Sequence, residues 1–380
     1  MSNRPSTPLL LLTLSIAAVG IQALMLSPLL TDIAAGLSTG PKEIGFAAAA
    51  YGVGVAAAAL LAAPRLGHWP KRGAIRIAFA VLAGSLLLCG IAWDWRILAA
   101  GQLIAGLASG VIIPATYALT GDIAPPERRS QDMGKVLFGW SVAMVAGVPL
   151  AAILSGLVGW RGTFVIVGGV AAAMTVAGAL LPRVPSHGDG EKVRYGDVLK
   201  LPGAWTGYIA TFAYMIGFYQ TYTFIGDHVR QTHGAGAWLG GTISLAYGLG
   251  FGVGVIFDKW IDRKGPSNVL PLGLALVGLN YLILPFAAET VITVAAYPFI
   301  WGLANHFCMT TLVSYMGALS PQMRGTVMGL FSFTTYLSLG MAGAVYGPVY
   351  DAYGFFVVSF ASAATMGAAA LFTGWRRFRR

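Results

Sequence analysis

The 380 residues are 57% hydrophobic and only 10% charged, with a mean hydropathy of +0.72 and a net charge of +10. A water-soluble domain carries roughly a quarter of its residues charged, because its surface must face water. This composition therefore excludes a soluble enzyme or binding domain of any size and predicts a chain whose surface faces lipid.

Taken in order, the nearly uncharged runs are Leu9–Leu30, Ile44–Pro64, Ile77–Trp93, Ile97–Thr120, Val136–Val158 and Thr163–Leu181. After a polar stretch they resume as Trp205–Gly226, Ala235–Phe257, Val269–Ala288, Val291–Leu319, Gly325–Val349 and Phe355–Trp375. A hydrocarbon core about 30 Å thick needs roughly 20 apolar residues per helix. Backbone amides in lipid must be satisfied within the segment, so each run is predicted as a helix. None alternates as a barrel strand would. The first run is longer than a signal-peptide core and lacks a small-residue cleavage site, so it is read as span one. Cys89 and Cys308 fall inside runs three and ten and read as small buried hydrophobes, with no disulfide or metal pair.

Lysine and arginine placement predicts the orientation. With the N-terminus inside, twenty of the 24 basic residues fall in the two tails and the even-numbered connections, and only Lys42, Arg96, Arg161 and Arg230 fall outside. Both termini are thus predicted to be cytoplasmic, in an inner (cytoplasmic) membrane. The positive charge reads as an orientation signal and a match to anionic membrane lipids, and it excludes a nucleic-acid partner.

The longest polar connection divides the chain into residues 1–181, a linker at 182–202, and residues 203–380. The two halves carry a repeat. Pro126-Glu-Arg-Arg129-Ser-Gln-Asp-Met133-Gly134 and Pro321-Gln-Met-Arg324-Gly-Thr-Val-Met328-Gly329 both read P-x-x-R-x-x-x-M-G at an offset of 195 residues. The same offset carries Gly159-Trp160 onto Gly354-Phe355. The expected fold is all-α, with twelve transmembrane helices in two pseudo-symmetric bundles and a solute site between them.

Further motifs have a physical reading of their own. Pro149 in span five frees a carbonyl and bends the helix, while Gly147 permits close approach of a neighbour. Gly248-Leu-Gly250-Phe-Gly252-Val-Gly254 lacks phosphate-loop spacing and reads as small residues at a helix contact. The connection after span eight reads Gly254-Val-Ile-Phe-Asp258-Lys259-Trp-Ile-Asp-Arg263.

The repeat, the twelve runs and these motifs resemble the major facilitator superfamily over essentially the whole chain. Gly147-Val-Pro149 followed by Gly159-Trp160-Arg161 is similar to its drug–proton antiporter and sugar-efflux branch. The resemblance implies that Asp258 belongs to a cytoplasmic latch with Arg324, and that Arg129 is the equivalent arginine of the first half. Two departures stand out. Gly67 occupies the aspartate position of the first-half loop, and Gln102 stands where the efflux branch carries an arginine in span four.

Ionisable groups within lipid are rare and default to function. His306 in span ten is the one mid-span example; with its titration near neutral pH it is a candidate for a coupling proton. Asp32, at the outer end of span one, is a second candidate. The candidate solute cavity comprises Gln22, Thr116, Tyr117, Tyr214, Gln220, Tyr247, Asn305, His306, Thr310, Thr335 and Tyr336. Such a lining, with no mid-span arginine, suits a neutral or amphipathic small organic molecule rather than an inorganic anion. The sequence reads as a monomeric secondary transporter working by alternating access, with efflux and protons as its expected direction and coupling ion. An uptake carrier, an uncoupled facilitator and a membrane sensor or scaffold are the alternatives. No catalytic motif, cofactor or metal site is found, so it is not read as an enzyme.

Overall fold

The computed structural model describes residues 7–62, 69–125, 129–184, 195–320 and 322–378, and within them every side chain except those of residues 62, 129–131, 324, 325, 377 and 378. Nine helices among the described residues are long and apolar enough to cross a membrane. Two of these, Asp132–Leu180 and Thr326–Arg376, run 49 and 51 residues. At about 1.5 Å per residue each is more than twice the thickness of a ~30 Å hydrocarbon core, so each crosses twice. The break in each is a single glycine, Gly159 (φ 75°, ψ 165°) and Gly354 (φ 73°, ψ −175°). A side chain would be strained at that positive φ. The two glycines stand 195 residues apart, the offset of the sequence repeat. The remaining crossing is Ala204–His233, which is 30 residues long and carries Asp227, His228 and Arg230 in its last two turns. Twelve helical crossings result.

In chain order, span one is Thr7–Leu24 and Leu26–Gly36, jointed at Met25. Spans two, three and four are Pro41–Ala62, Lys71–Gly90 and Trp95–Ile123. Spans five and six are 129–158 and 160–180, and span seven is Ala204–His233. Span eight is Ala237–Val253 with a tight turn at Gly254–Phe257, followed by the short helix Asp258–Lys264. Spans nine and ten are Pro266–Ala287 and 291–317, and spans eleven and twelve are 324–353 and 355–378. An even number of crossings puts both ends of the chain on one side, here called the near side.

The bend expected at Pro149 is present and has a definite form. Residues Ala143–Gly147 make one π-helical turn, in which the Val148 N–H reaches back to the carbonyl of Ala143. Such a turn widens the helix by one residue and is a recognised cause of bending. A β-carbon on Gly147 would lie 2.2 Å from Ile21, so the glycine lets span five close on span one.

The first six and last six spans meet most tightly on the far side. There span two lies backbone to backbone on span eleven: a β-carbon on Gly343 would lie 2.2 Å from the Gly45 carbonyl, and one on Gly52 would lie 2.4 Å from the Gly340 nitrogen. Small residues of this kind let helices approach without side chains between them. Toward the near side the same two spans part, and a cavity opens between them.

Candidate solute cavity and gates

Two cavities follow one another along the interface of the halves. The deeper one, about 370 Å³, is lined by Gln22, Ser27, Ala48, Tyr51, Gln102, Tyr219, Tyr222, Thr223 and Leu339, among others. The second, about 390 Å³, lies nearer the near side between Val55, Ala59, Pro114, Tyr117, Gly329, Ser332 and Tyr336. Among the described residues, no charged one lines either cavity.

The deep cavity is organised by an amide pair. Gln22 Nε2 donates to Gln102 Oε1 at 2.8 Å, tying span one to span four, and Gln102 Nε2 lies 3.7 Å from Cys89 Sγ. Both glutamines are 2% exposed. Gln22 Oε1 has no hydrogen-bond partner, so a buried acceptor stands at the cavity wall. Gln102, at the position where the resemblance led one to expect arginine, therefore supplies a neutral amide in place of a fixed charge.

Of the residues predicted to line the cavity, Gln22 faces the deep cavity, and Tyr117 and Tyr336 face the second. Trp140 Nε1 donates to the Tyr117 hydroxyl at 3.1 Å. The others lie elsewhere. Tyr214 donates to Asn305 Oδ1 at 2.9 Å, and Asn305 donates to the Trp301 carbonyl, inside the last six spans. Gln220 donates to Ser362 Oγ and to the Val358 carbonyl of span twelve. Tyr247 packs edge-on to Trp301 at 4.9 Å. Thr116 is fully buried, and Thr335 donates to its own helix at the Phe331 carbonyl. Tyr51, Gln102, Tyr219 and Ser332 were not predicted in this role. Gln102 was legible as a lone amide in an apolar span; Tyr51 and Tyr219 differ from their neighbouring aromatics only in which way they point.

The face of span ten bearing Gly302, His306 and Thr310 packs on span eight rather than on a cavity. A β-carbon on Gly302 would lie 2.1 Å from the Tyr247 carbonyl, and one on Gly254 would lie 2.4 Å from His306 Cβ. His306 Nε2 is 3.0 Å from Asp258 Oδ1 and 3.2 Å from Thr310 Oγ1, and the ring meets Phe251 edge-on at 4.9 Å. His306 Nδ1 is buried without a partner. The aspartate expected in a latch with Arg324 is thus held by His306; the side chains of Arg324 and Arg129 lie outside the described residues, as does the first-half loop 63–68 that contains Gly67.

On the far side the halves are joined by polar bonds. Asp32 Oδ1 accepts from Arg230 at 2.6 Å and its Oδ2 from Ser155 at 3.0 Å. Asp227 Oδ1 accepts from Thr31 at 2.7 Å, and its Oδ2 from Tyr350 and Gln231, each at 2.7 Å. Ser27 donates to the Tyr222 carbonyl. The far side is thus closed by these bonds, and the second cavity lies toward the near side between spans two, four and eleven.

Known proteins resemble the chain along most of its length. The sequence model of the Major Facilitator Superfamily matches residues 12–345. The chain is 30% identical over 368 residues to the uncharacterized MFS-type transporter YwfA of Bacillus subtilis (strain 168), covering 94% of this chain and 89% of that protein. Among solved structures it resembles a bacterial homolog of the human lysosomal transporter Spinster. Against the inward-facing, occupied form the TM-score is 0.77, with 97% of this chain and 95% of that chain covered. The unoccupied form gives 0.76. At 16% identity, these two likenesses speak to the fold alone.

Proposed function

The chain belongs to the Major Facilitator Superfamily and is a secondary transporter, and we propose that it exports a small, uncharged or amphipathic organic solute by alternating access. The observation that carries this reading is the uncharged cavity between the halves, with the Gln22–Gln102 amide pair in its wall and its far side closed. Solute would enter from the near side, which the basic-residue bias makes the cytoplasmic face of the inner membrane. The neutral wall favours hydrogen-bonding solutes with an apolar body; it has no guanidinium to hold a phosphate or dicarboxylate. The tyrosines supply flat apolar faces with a polar tip. Proton coupling would run through His306, whose ring joins span ten to the connection after span eight through Asp258. Asp32, ion-paired with Arg230, is given the part of a far-side clamp.

The test is solute-driven proton movement in proteoliposomes containing a pH dye, using sugars, amino acids and hydrophobic drugs, with His306→Ala as the comparison. A compound that moves protons in the parent and not in the variant supports coupled transport. A compound that moves without protons in both makes the protein a facilitator and His306 a structural residue. No movement of any compound by correctly folded protein would favour a sensor or scaffold.

A further inference from the structure

The polar side chains behind the deep cavity are tied to the main chain in a fixed order. Cys89 Sγ lies 3.8 Å from the Leu98 carbonyl, which can only accept, so the thiol is the donor there. The sulfur takes the Gln102 amide N–H at 3.7 Å, and Gln102 Oε1 takes the Gln22 amide N–H at 2.8 Å. Turning both amides over would keep the two links among these side chains and draw the thiol proton away from Leu98. The observed order thus makes three bonds where the reversed one makes two. It leaves an oxygen at the cavity end. That oxygen, Gln22 Oε1, is buried without a partner. An unmet buried acceptor is costly, and a ligand that donates to it recovers the cost.

Two more lining residues have committed their protons. Ser27 donates to the Tyr222 carbonyl. Ser244 donates to the Gly240 carbonyl at 3.1 Å, so the Tyr222 hydroxyl, 2.8 Å from it, is the donor to Ser244. Gln22 Oε1 and the hydroxyl oxygens of Ser27 and Tyr222 therefore meet a ligand as acceptors only. The rings of Tyr51, Tyr219 and Tyr222 stand in the same wall, and the face of such a ring attracts a cation. A primary ammonium group matches this set, with three N–H donors, no acceptor and a charge suited to the rings. An alcohol brings one donor, and a quaternary ammonium none.

We propose that the deep cavity takes the protonated primary amino group of an amphipathic amine, which donates to Gln22 Oε1, and that Cys89 is the positioning residue that keeps this oxygen toward the ligand. This is the solute site of the carrier reading above, on which it rests. Cys89 is fully buried and does not line the cavity, so it acts through Gln102 alone.

The experiment is calorimetric titration of the purified full chain with three probes that share one apolar body: 2-phenylethylammonium, 2-phenylethanol and 2-phenylethyltrimethylammonium. Near neutral pH the primary amine is protonated. The parent should bind the ammonium about tenfold tighter than either analogue, the worth of one hydrogen bond to a charged group. Gln22→Met, similar in size but without the acceptor, should remove that preference. Cys89→Ala frees Gln102 to turn over and should reduce it. Cys89→Ser should restore it, because a hydroxyl also accepts from Gln102 and donates to Leu98. The two Cys89 variants carry the test if Gln22→Met does not fold. Equal binding of the three probes by the parent overturns the amine site. A preference unchanged in Cys89→Ala, or one that Cys89→Ser fails to restore, overturns the positioning role. Protein that ignores the ammonium yet carries a neutral solute in liposomes overturns the amine site and leaves the carrier reading standing. Protein that binds no probe and carries no solute overturns both.

Discussion

The Gln22–Gln102 bond illustrates how one neutral residue redefines a cavity. An arginine at position 102 would place a fixed cation beside the deep cavity and select anionic or acid-bearing cargo. The amide instead leaves Gln22 Oε1 free to accept from a solute. Gln102→Leu removes the acceptor for Gln22 Nε2 and leaves that donor buried, an effect of about 1–3 kcal/mol. The expected outcome is a lower melting temperature of the purified protein together with a KM about tenfold higher in proteoliposome flux. Both glutamines were visible in the sequence, but only Gln22 was read as lining. Their meeting across eighty residues was not readable, because membrane helices are uniformly apolar and periodicity does not say which face meets which neighbour.

At the scale of elements, eight of the twelve apolar runs match their helices to within four residues at both ends, since the length of an apolar run is fixed by the membrane it must cross. Spans one, three, five and seven run six or seven residues further at one end. The sequence did not reveal the joint at Met25 or the π-helical turn before Pro149, which depend on how spans one and five meet. Gly147→Val would drive a branched side chain into Ile21, where even a β-carbon would lie 2.2 Å away. Overpacking of this kind costs about 1–3 kcal/mol. A lower melting temperature, measured by heating purified protein, should be relieved by the partner change Ile21→Ala. Gly343→Val acts differently, because its β-carbon would meet the Gly45 carbonyl of the opposite half. It should push apart spans two and eleven, favour the open far side, and slow net transport without unfolding either bundle.

Across the whole molecule, closure depends on few bonds between the halves, so it should be controllable by one covalent link. Thr31 and Asp227 touch across the interface at 2.7 Å. A Thr31→Cys, Asp227→Cys pair should form a disulfide under mild oxidant and lock the far side shut, as followed by the loss of free thiol on oxidation and its return on reduction. The pseudo-symmetry behind this was legible in part. The P-x-x-R-x-x-x-M-G repeat and the Gly159/Gly354 pair supplied the offset, and the structure extends it to Ser27/Tyr222, Asp32/Asp227 and Ser155/Tyr350. Those later pairs were hidden because their members differ in residue type, apart from two aspartates whose common offset is apparent only once the first pairs are aligned.

The single-residue reversals at Gly159 and Gly354 also determine where the molecule can be handled. Spans five and six, and likewise eleven and twelve, turn without a loop, so the far face has no peptide there for an antibody or protease to seize. The longer turns at 37–40, 91–94, 234–236 and 288–290 remain. An epitope tag or a fluorescent reporter meant to be read from that face belongs in one of these four turns, and an insertion at either glycine would separate a helical hairpin that one residue now joins.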